Sequence, residues 1–426
     1  MRSIPALALL IAGFLPWIEA HSQDVQPGQP QPLERLLADV RERLAAKSQE
    51  FERDLDEALR IFRSNAPSRR LQVKEWSRRL APWVGVFPGR FAQVVAREKS
   101  VLARGRVLEV IAASRTRQVA PPLAALLVEP DVAANASLMA GIIDCLGRVG
   151  APSAGRVIRN LLNGSPAREV RAAAILALAR LHHPDAADLV RKGLSDEQTV
   201  VRRSAIRAAA ILGEKVPGLA DHLLRRLAEE KDASLEPLIL RSLGAFPDDH
   251  DVRRALHKAL GSTSESVLEA ALDALARVGR KATSQRQLLA LIAREEEVPA
   301  AIRKRAARML LGWGSMAGVK AFVRKQKSVA DKNPRNAVLQ EALADTYRDL
   351  GAFEEALTYY KRALREARIK SGILVSMARC HARLGRFSKA KKALRSAGYT
   401  DFSPFADDPD FQQMRRDPDY ADLFGA

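Results

Sequence analysis

The segment Glu169–Leu181 reads EVRAAAILALARL, and it decides the fold together with VVRRSAIRAAAIL at Val200–Leu212 and SVLEAALDALARV at Ser266–Val278. In each segment, apolar residues recur at intervals of three and four, which is typical of a helix with one buried face. Copies of this phrase begin at a spacing of 31 to 35 residues, near Gly105, Ser137, Glu169, Val200, Ser234, Ser266 and Ala301. A helical phrase with this period predicts stacked helical pairs, because no pair buries its apolar face alone.

One period contains two helices. Glu169–Leu181 places a stripe of alanine, valine and leucine, including Ala174, on one face. Pro184 then interrupts the pattern, and Asp185–Leu194 predicts a shorter second helix. Alanine is the best intrinsic helix former, and its small side chain lets neighbouring helices approach closely. Since the chain is 47% hydrophobic but only 5% aromatic, we predict an all-α fold built as a superhelical solenoid.

The residues at the start of each copy resemble a known repeat. The pattern V-R-x-x-A occurs at Val170-Arg171 and Val201-Arg202, and as I-R-x-x-A at Ile302-Arg303. It is similar to HEAT repeats, closest to the short alanine-rich bacterial type of phycobilin-lyase-like proteins; the copies at Gly105 and Ser234 depart from it. The resemblance implies HEAT repeats over residues 105–315. It implies little about function, since such repeats serve many unrelated roles.

A second repeat follows. The pattern L-G-x-F-x-x-A occurs at Leu350–Ala356 and again, 34 residues later, at Leu384–Ala390. It resembles tandem tetratricopeptide repeats, which we expect over residues 316–400, with Gly318–Ala330 as a degenerate leading helix. In that family, the first helix of each repeat lines a groove that binds a partner.

The N-terminus resembles an export signal. Arg2 precedes an apolar run, Ile4–Ile18, and Ala20-His21-Ser22 fits a cleavage site. We therefore expect a signal peptide at residues 1–22, cleaved near residues 20–22, and a periplasmic or extracellular protein. The alternative is an N-terminal membrane anchor, although the run is short for a membrane span. Residues 23–32, rich in proline and glutamine, predict a linker.

Residues 33–104 predict helices that cap the solenoid. Pro32–Ser64 has one apolar stripe, which indicates either packing against the array or a dimeric coiled coil. Four aromatic residues follow: Trp76, Trp83, Phe87 and Phe91. They indicate either a hydrophobic cap, which solenoids need at their ends, or a patch that stacks on a ligand.

The charge distribution singles out the C-terminal part of a chain whose net charge is +19. Residues 361–395 hold 12 basic residues and one acidic residue, whereas residues 401–426 hold seven acidic and two basic ones. Two D-P pairs in residues 401–426 predict short capping helices that dock Phe411, Met414, Tyr420, Leu423 and Phe424 on the last repeat. Either this acidic tail covers the basic repeat, or the repeat offers a groove to an acidic peptide, a phosphorylated lipid surface or another polyanion.

We predict partner binding at Arg348, Arg379 and Arg383. Arg379 and Arg383 are four residues apart on one predicted helix and therefore share a face, and Arg348 lies on the equivalent helix of the preceding repeat. A guanidinium can hold a carboxylate with two parallel hydrogen bonds. The predicted partner is a protein or an acidic peptide.

The sequence contains none of the common motifs for metal, nucleotide or nucleophilic chemistry, so we predict no catalytic, cofactor-binding or metal-binding residues. The two cysteines, Cys145 and Cys380, lie in separate helical stripes, which predicts buried thiols without a disulfide framework. These features favour a non-enzymatic scaffold. The alternatives are a nucleic-acid-binding HEAT-like protein, against which export argues, and an enzyme resembling the HEAT-like bilin lyases.

Overall fold

The computed structural model describes residues 31–164, 166–279, 286–294 and 297–425; the side chains of residues 31–42, 44, 287, 288 and 291 are not part of this description. The predicted signal peptide, residues 1–22, and nearly all of the predicted linker therefore lie outside the described residues. The described parts form helices and no strand, so the predicted all-α class is confirmed. The described residues divide into two compact units, one ending at Leu219 and the other beginning at Ala220.

The first unit contains twelve α-helices among its described residues: α1 (Gln31–Phe62), α2 (Arg70–Leu80), α3 (Trp83–Val86), α4 (Pro88–Arg97), α5 (Val101–Ser114), α6 (Ala120–Leu126), α7 (Pro130–Ala133), α8 (Ala136–Val149), α9 (Gly155–Leu161), α10 (Arg168–Arg180), α11 (Ala186–Gly193) and α12 (Thr199–Leu212). Helix α5 packs on α8, α8 on α10, and α10 on α12. These four are the long helices of the repeating phrase, stacked in chain order.

Helix α13 (Leu219–Glu229) begins at the boundary, and all of it except Leu219 belongs to the second unit. Its other helices are α14 (Glu236–Leu243), α15 (His250–Ala259), α16 (Glu265–Val278), α17 (Arg286–Arg294), α18 (Ala300–Gly312), α19 (Ala317–Lys332), α20 (Ala337–Leu350), α21 (Phe353–Glu366), α22 (Ser371–Arg383), α23 (Phe387–Ser396) and α24 (Gln412–Arg416). Helix α14 packs on α16, and α16 packs on α18. From α18 to α23, each helix packs on the next one in the chain.

Most repeat helices begin within one or two residues of the predicted starts, but the first copy does not. Gly105 lies inside α5, which begins at Val101. Helix α5 begins four residues earlier because the Ser100 side chain accepts a hydrogen bond from the amide of Ala103 and so caps its first turn. The phrase beginning at Gly105 therefore corresponds to the middle of a helix.

Small residues set the close approach of neighbouring helices. Gly147 on α8 faces Ala177 on α10 so closely that a Cβ on Gly147 would lie 2.7 Å from the Ala177 Cα. The second unit repeats this arrangement with Gly244, directly after α14, and Ala274 on α16, also at 2.7 Å. Because real Cβ atoms do not approach that closely, larger residues at these positions would push the helices apart.

The N-terminal helices pack on the start of the first unit. Helix α1 contacts α2 and α5, and its residues Phe51, Leu55 and Phe62 are buried. Arg106 on α5 donates hydrogen bonds to the main-chain carbonyls at the end of α1, including those of Phe62 (2.9 Å) and Ser64 (2.8 Å). These contacts occupy carbonyls that have no partner within the helix. The later half of α1 thus packs against the array; the side chains of its earlier apolar residues lie outside the described set.

Helices α20 to α23 form two hairpins of similar shape. Gly351 follows α20 and has a φ of +87°, and Gly385 follows α22 with a φ of +71°. Glycine is the residue best suited to this left-handed conformation, which explains why the L-G pair recurs. Helix α19, which begins at Ala317, packs on α20. No helix in the described part of the chain is both long and apolar enough to cross a membrane.

Candidate functional site

Arg348, the first predicted site residue, lies on α20 and ties three helices together. Its guanidinium donates to the hydroxyls of Tyr360 on α21 and Ser376 on α22, each at 3.1 Å. It also pairs with Asp345 (2.9 Å) and Asp349 (3.3 Å), and its side chain is 23% exposed. These contacts use most of its hydrogen-bonding capacity, so Arg348 has a structural role in joining the two hairpins.

Burial shifts the pKa values of the titratable groups around Arg348. Burial raises the pKa of Tyr360, and the hydrogen bond that its hydroxyl donates to Asp345 raises it further. Burial, followed by the charge of Asp345, also raises the pKa of Glu341. Asp349 is the opposite case: burial raises its pKa, but Lys304 and Arg348 together outweigh that effect and leave the pKa below its usual range. Asp349 therefore stays ionised and holds cations from two repeats.

Arg379 and Arg383, the other two predicted residues, both lie on α22 and face the C-terminal tail. The Arg379 Nε donates to Asp408 Oδ2 at 2.9 Å. The Arg383 Nε lies 3.7 Å from Asp410 Oδ1, and its side chain is 50% exposed. Asp408 also accepts a hydrogen bond from the amide of Asp410 (2.9 Å), which fixes the two carboxylates next to each other. The tail thus neutralises Arg379 and reaches Arg383 more loosely.

Apolar packing holds the tail in place. Phe402, Phe411 and Met414 are fully buried, and Phe405 and Phe424 nearly so, in one cluster with alanines of α22 and α23 and with Leu394. The rings of Phe405 and Phe411 lie 5.5 Å apart between centroids. Tyr420 and Leu423 pack at the edge of the cluster. Since the tail completes the core of the last hairpin, it is part of the fold.

A cavity of about 310 Å³ opens beside these arginines. Its lining consists of Arg308, Arg348, Asp349, Leu350, Gly351, Phe353, Arg383 and Asp410. Arg308, on α18, donates from Nε to the main-chain carbonyl of Asp349 at 2.8 Å. The Arg383 guanidinium lies 5.7 Å from the centre of the Phe353 ring. Three successive helical pairs therefore each contribute an arginine to one small cavity.

Arg308 and Phe353 were missed in the sequence analysis. Arg308 belongs to the first kind of repeat and contacts Asp349 across 41 residues, so no local pattern connects the two. Phe353 is the aromatic position of the L-G-x-F-x-x-A pattern, which indicated a repeat and not a binding role for this residue. One feature of the sequence could have indicated Arg308: it lies in the last turns of α18, the helix directly before the predicted tetratricopeptide repeats.

Comparison with protein families gives two matches in this chain. HEAT repeats match residues 156–236, and the tetratricopeptide repeat matches residues 347–417. The chain carries HEAT repeats and tetratricopeptide repeats. Both resemblances that the sequence indicated are thereby confirmed, over segments shorter than the predicted ranges 105–315 and 316–400. The tetratricopeptide match extends into the acidic tail.

Two solved structures match this chain at low sequence identity. The complex of CpcE and CpcF of phycocyanin lyase from Nostoc sp. PCC7120 is 18% identical and covers 61% of this chain and 93% of its own, with a TM-score of 0.35. An engineered protein is 14% identical and covers 87% of this chain and 96% of its own, with a TM-score of 0.33. No curated protein sequence matches the chain.

The four aromatic residues that precede the HEAT repeats in the sequence lie in two separate places in the structure. Trp83, Phe87 and Phe91 surround Phe51 of α1, and the Phe51 and Phe87 rings stack at 4.6 Å. This is a hydrophobic core. Trp76 lies apart, 4.8 Å from the Arg79 guanidinium, in an open depression of about 720 Å³. Arg53, Asp54, Asp56, Glu57, Arg60, Trp76 and Arg79 line this depression.

No cluster of three or more metal-ligating side chains occurs among the described residues. Cys145 and Cys380 are buried and free, and burial raises the pKa of both thiols to about 12. Since the thiolate is the reactive form, both cysteines are inert at neutral pH. Burial also lowers the pKa of His381, so this imidazole is neutral inside the second tetratricopeptide hairpin.

Proposed function

We propose that this chain is a non-enzymatic scaffold that acts outside the cytoplasm and binds an acidic peptide or a partner protein through its tetratricopeptide repeats. The observation that carries the proposal is the cavity lined by Arg308, Arg348 and Arg383. Of these, Arg383 is half exposed and makes one loose ion pair, so it is the arginine best placed to accept a carboxylate.

The other predicted arginines have supporting roles in this proposal. Arg379 holds the tail through Asp408, and Arg348 holds α20, α21 and α22 together. The partner therefore meets Arg383, whose guanidinium lies close to the Phe353 ring, and Arg308 lines the same cavity. Asp410 lies at the same cavity, and burial and Asp408 raise its pKa. A carboxylate on the ligand would compete with Asp410 for Arg383.

A peptide-binding measurement tests this site. A fluorescein-labelled peptide ending in three glutamates is expected to bind the chain, and Arg383→Glu is expected to weaken binding at least about tenfold, since reversal replaces an attraction of roughly 1.5–3 kcal/mol by a repulsion. Fluorescence anisotropy at low ionic strength measures the affinity. Arg395→Glu changes the net charge equally but lies at the far end of the hairpin, so it serves as the control. Equal weakening by both variants would show a general charge effect and remove the proposed site.

Export is the second part of the proposal, and the N-terminal sequence supports it. Arg2, the apolar run Ile4–Ile18 and Ala20-His21-Ser22 follow the order of a cleavable signal. Mass spectrometry of the chain purified from a bacterial host is expected to give a mature N-terminus at His21 or within two residues of it. A chain that keeps residues 1–20 would contradict cleavage and favour an N-terminal anchor.

A further inference from the structure

One end of the tetratricopeptide hairpins collects five helix termini. Short links join α19 to α20, α21 to α22, and α22 to α23, and each pair packs together, so neighbouring helices run antiparallel. Gln340, in the first turn of α20, donates to the carbonyl of Ala330 near the end of α19 (2.7 Å). Arg362, near the end of α21, lies 3.4 Å from Asp331. The ends of α19, α21 and α23 therefore lie beside the starts of α20 and α22.

This end is strongly basic. We call residues 331–338, 365–371 and 392–396 the basic end. Its cations are all exposed, and none forms an ion pair within the described residues: Lys332, Arg335, Arg365, Arg368, Lys370, Lys392 and Arg395. Its two carboxylates are Asp331, already held by Lys327 and Arg362, and Glu366. The positive charge of this surface is thus uncompensated. Arg379 on α22 differs, because Asp408 neutralises it.

Two exposed aliphatic side chains lie among these cations. Ile369 is 81% exposed and stands between Arg368 and Lys370 in the link from α21 to α22. Val338 is 74% exposed in the first turn of α20, three residues after Arg335. Cations at helix C-termini also favour the helix dipole, which accounts for Lys332, Arg365 and Arg395. That effect does not account for the cations in the links, Arg335, Arg368 and Lys370. It also does not account for the two exposed aliphatic side chains.

We propose that the basic end docks on the surface of an anionic phospholipid bilayer, with Ile369 and Val338 entering the headgroup region. Clustered Lys and Arg side chains are attracted to anionic lipids, and exposed aliphatic side chains add binding by leaving water. Single-stranded nucleic acid fits less well, because the basic end contains no aromatic residue on which a base could stack. The surface lies at the end opposite the Gly351 and Gly385 turns, so it is independent of the peptide site proposed above.

Vesicle cosedimentation tests the proposal. The purified chain is mixed with phosphatidylcholine vesicles, with and without about one-third phosphatidylglycerol, and the difference in binding gives the partition coefficient due to anionic lipid. We expect Arg368→Glu/Lys370→Glu to lower this coefficient about 30-fold, from about 1 kcal/mol for each lost cation. Ile369→Asp is expected to lower it about tenfold, because the side chain no longer leaves water.

Matched control variants in the first unit show whether a loss of binding is specific to the basic end or follows from any change in net charge or exposed aliphatic surface. Arg69→Glu/Arg70→Glu makes the same change in net charge at exposed positions, and Leu71→Asp removes an aliphatic residue of equal exposure, 81%. Both controls are expected to bind like the unchanged chain. Equal binding to both kinds of vesicle, or equal loss in test and control variants, would overturn the proposal. Loss with the charge variant but not with Ile369→Asp would also overturn it and indicate a soluble polyanion as the ligand.

Discussion

Replacing Ala174 by glutamate is expected to unfold the first unit or to lower its melting temperature by about 10 °C or more. Ala174 lies on α10 with no exposed surface, between helices that approach closely through small residues. A carboxylate there has neither room nor a partner, and an unpaired buried charge costs several kcal/mol. For a unit of this size, 1 kcal/mol corresponds to a shift of about 2–4 °C. Thermal melting followed by circular dichroism measures the effect.

Ala167→Glu provides the control for this substitution. Ala167 is exposed and immediately precedes α10, so a carboxylate there meets the positive end of the helix dipole. The melting temperature of this variant is expected to remain within about 2 °C of the original, since surface changes rarely exceed 0.5 kcal/mol. If Ala174→Glu melted like Ala167→Glu, the stripe of α10 would not be buried and the repeat frame would be wrong.

Deleting Asp401–Ala426 is expected to destabilise the second unit and to make the chain aggregate. The deletion removes four phenylalanines and a methionine from the cluster on α22 and α23, and leaves Ala378, Ala382 and Leu394 facing water. Truncating one buried phenylalanine alone typically costs about 3–5 kcal/mol. The deletion also removes seven acidic and two basic residues, so retention on an anionic resin at low salt is expected to increase.

Asp408→Asn/Asp410→Asn separates the charge of the tail from its packing. These substitutions keep the apolar cluster and the capping capacity of residue 408 but remove the ion pairs with Arg379 and Arg383. We expect stronger retention on the anionic resin with a melting temperature within a few degrees of the original, because such partly exposed pairs contribute about 1 kcal/mol or less. For the deletion of Asp401–Ala426 itself, an unchanged melting temperature would show that the aromatic residues do not anchor the tail.

The sequence by itself determined the helices and their repeating order. Helical periodicity in segments such as Glu169–Leu181, and the glycine turns at Gly351 and Gly385, depend on contacts within a few residues, which a single sequence displays. The same periodicity correctly put Arg379 and Arg383 on one face of α22. The start near Gly105 was misplaced although Ser100, a good cap, stood five residues before it.

The tertiary structure decided what each charged side chain does. Composition left open whether the acidic tail covers the basic repeat; the structure brings Asp408 to Arg379 across 29 residues, while Arg368 and Lys370 remain uncovered. It also brings Arg308 to Asp349 across 41 residues, which creates the candidate cavity. The type of a residue and its helix face are local properties. Its partner depends on how distant helices pack, and that packing follows from burying apolar surface along the whole unit.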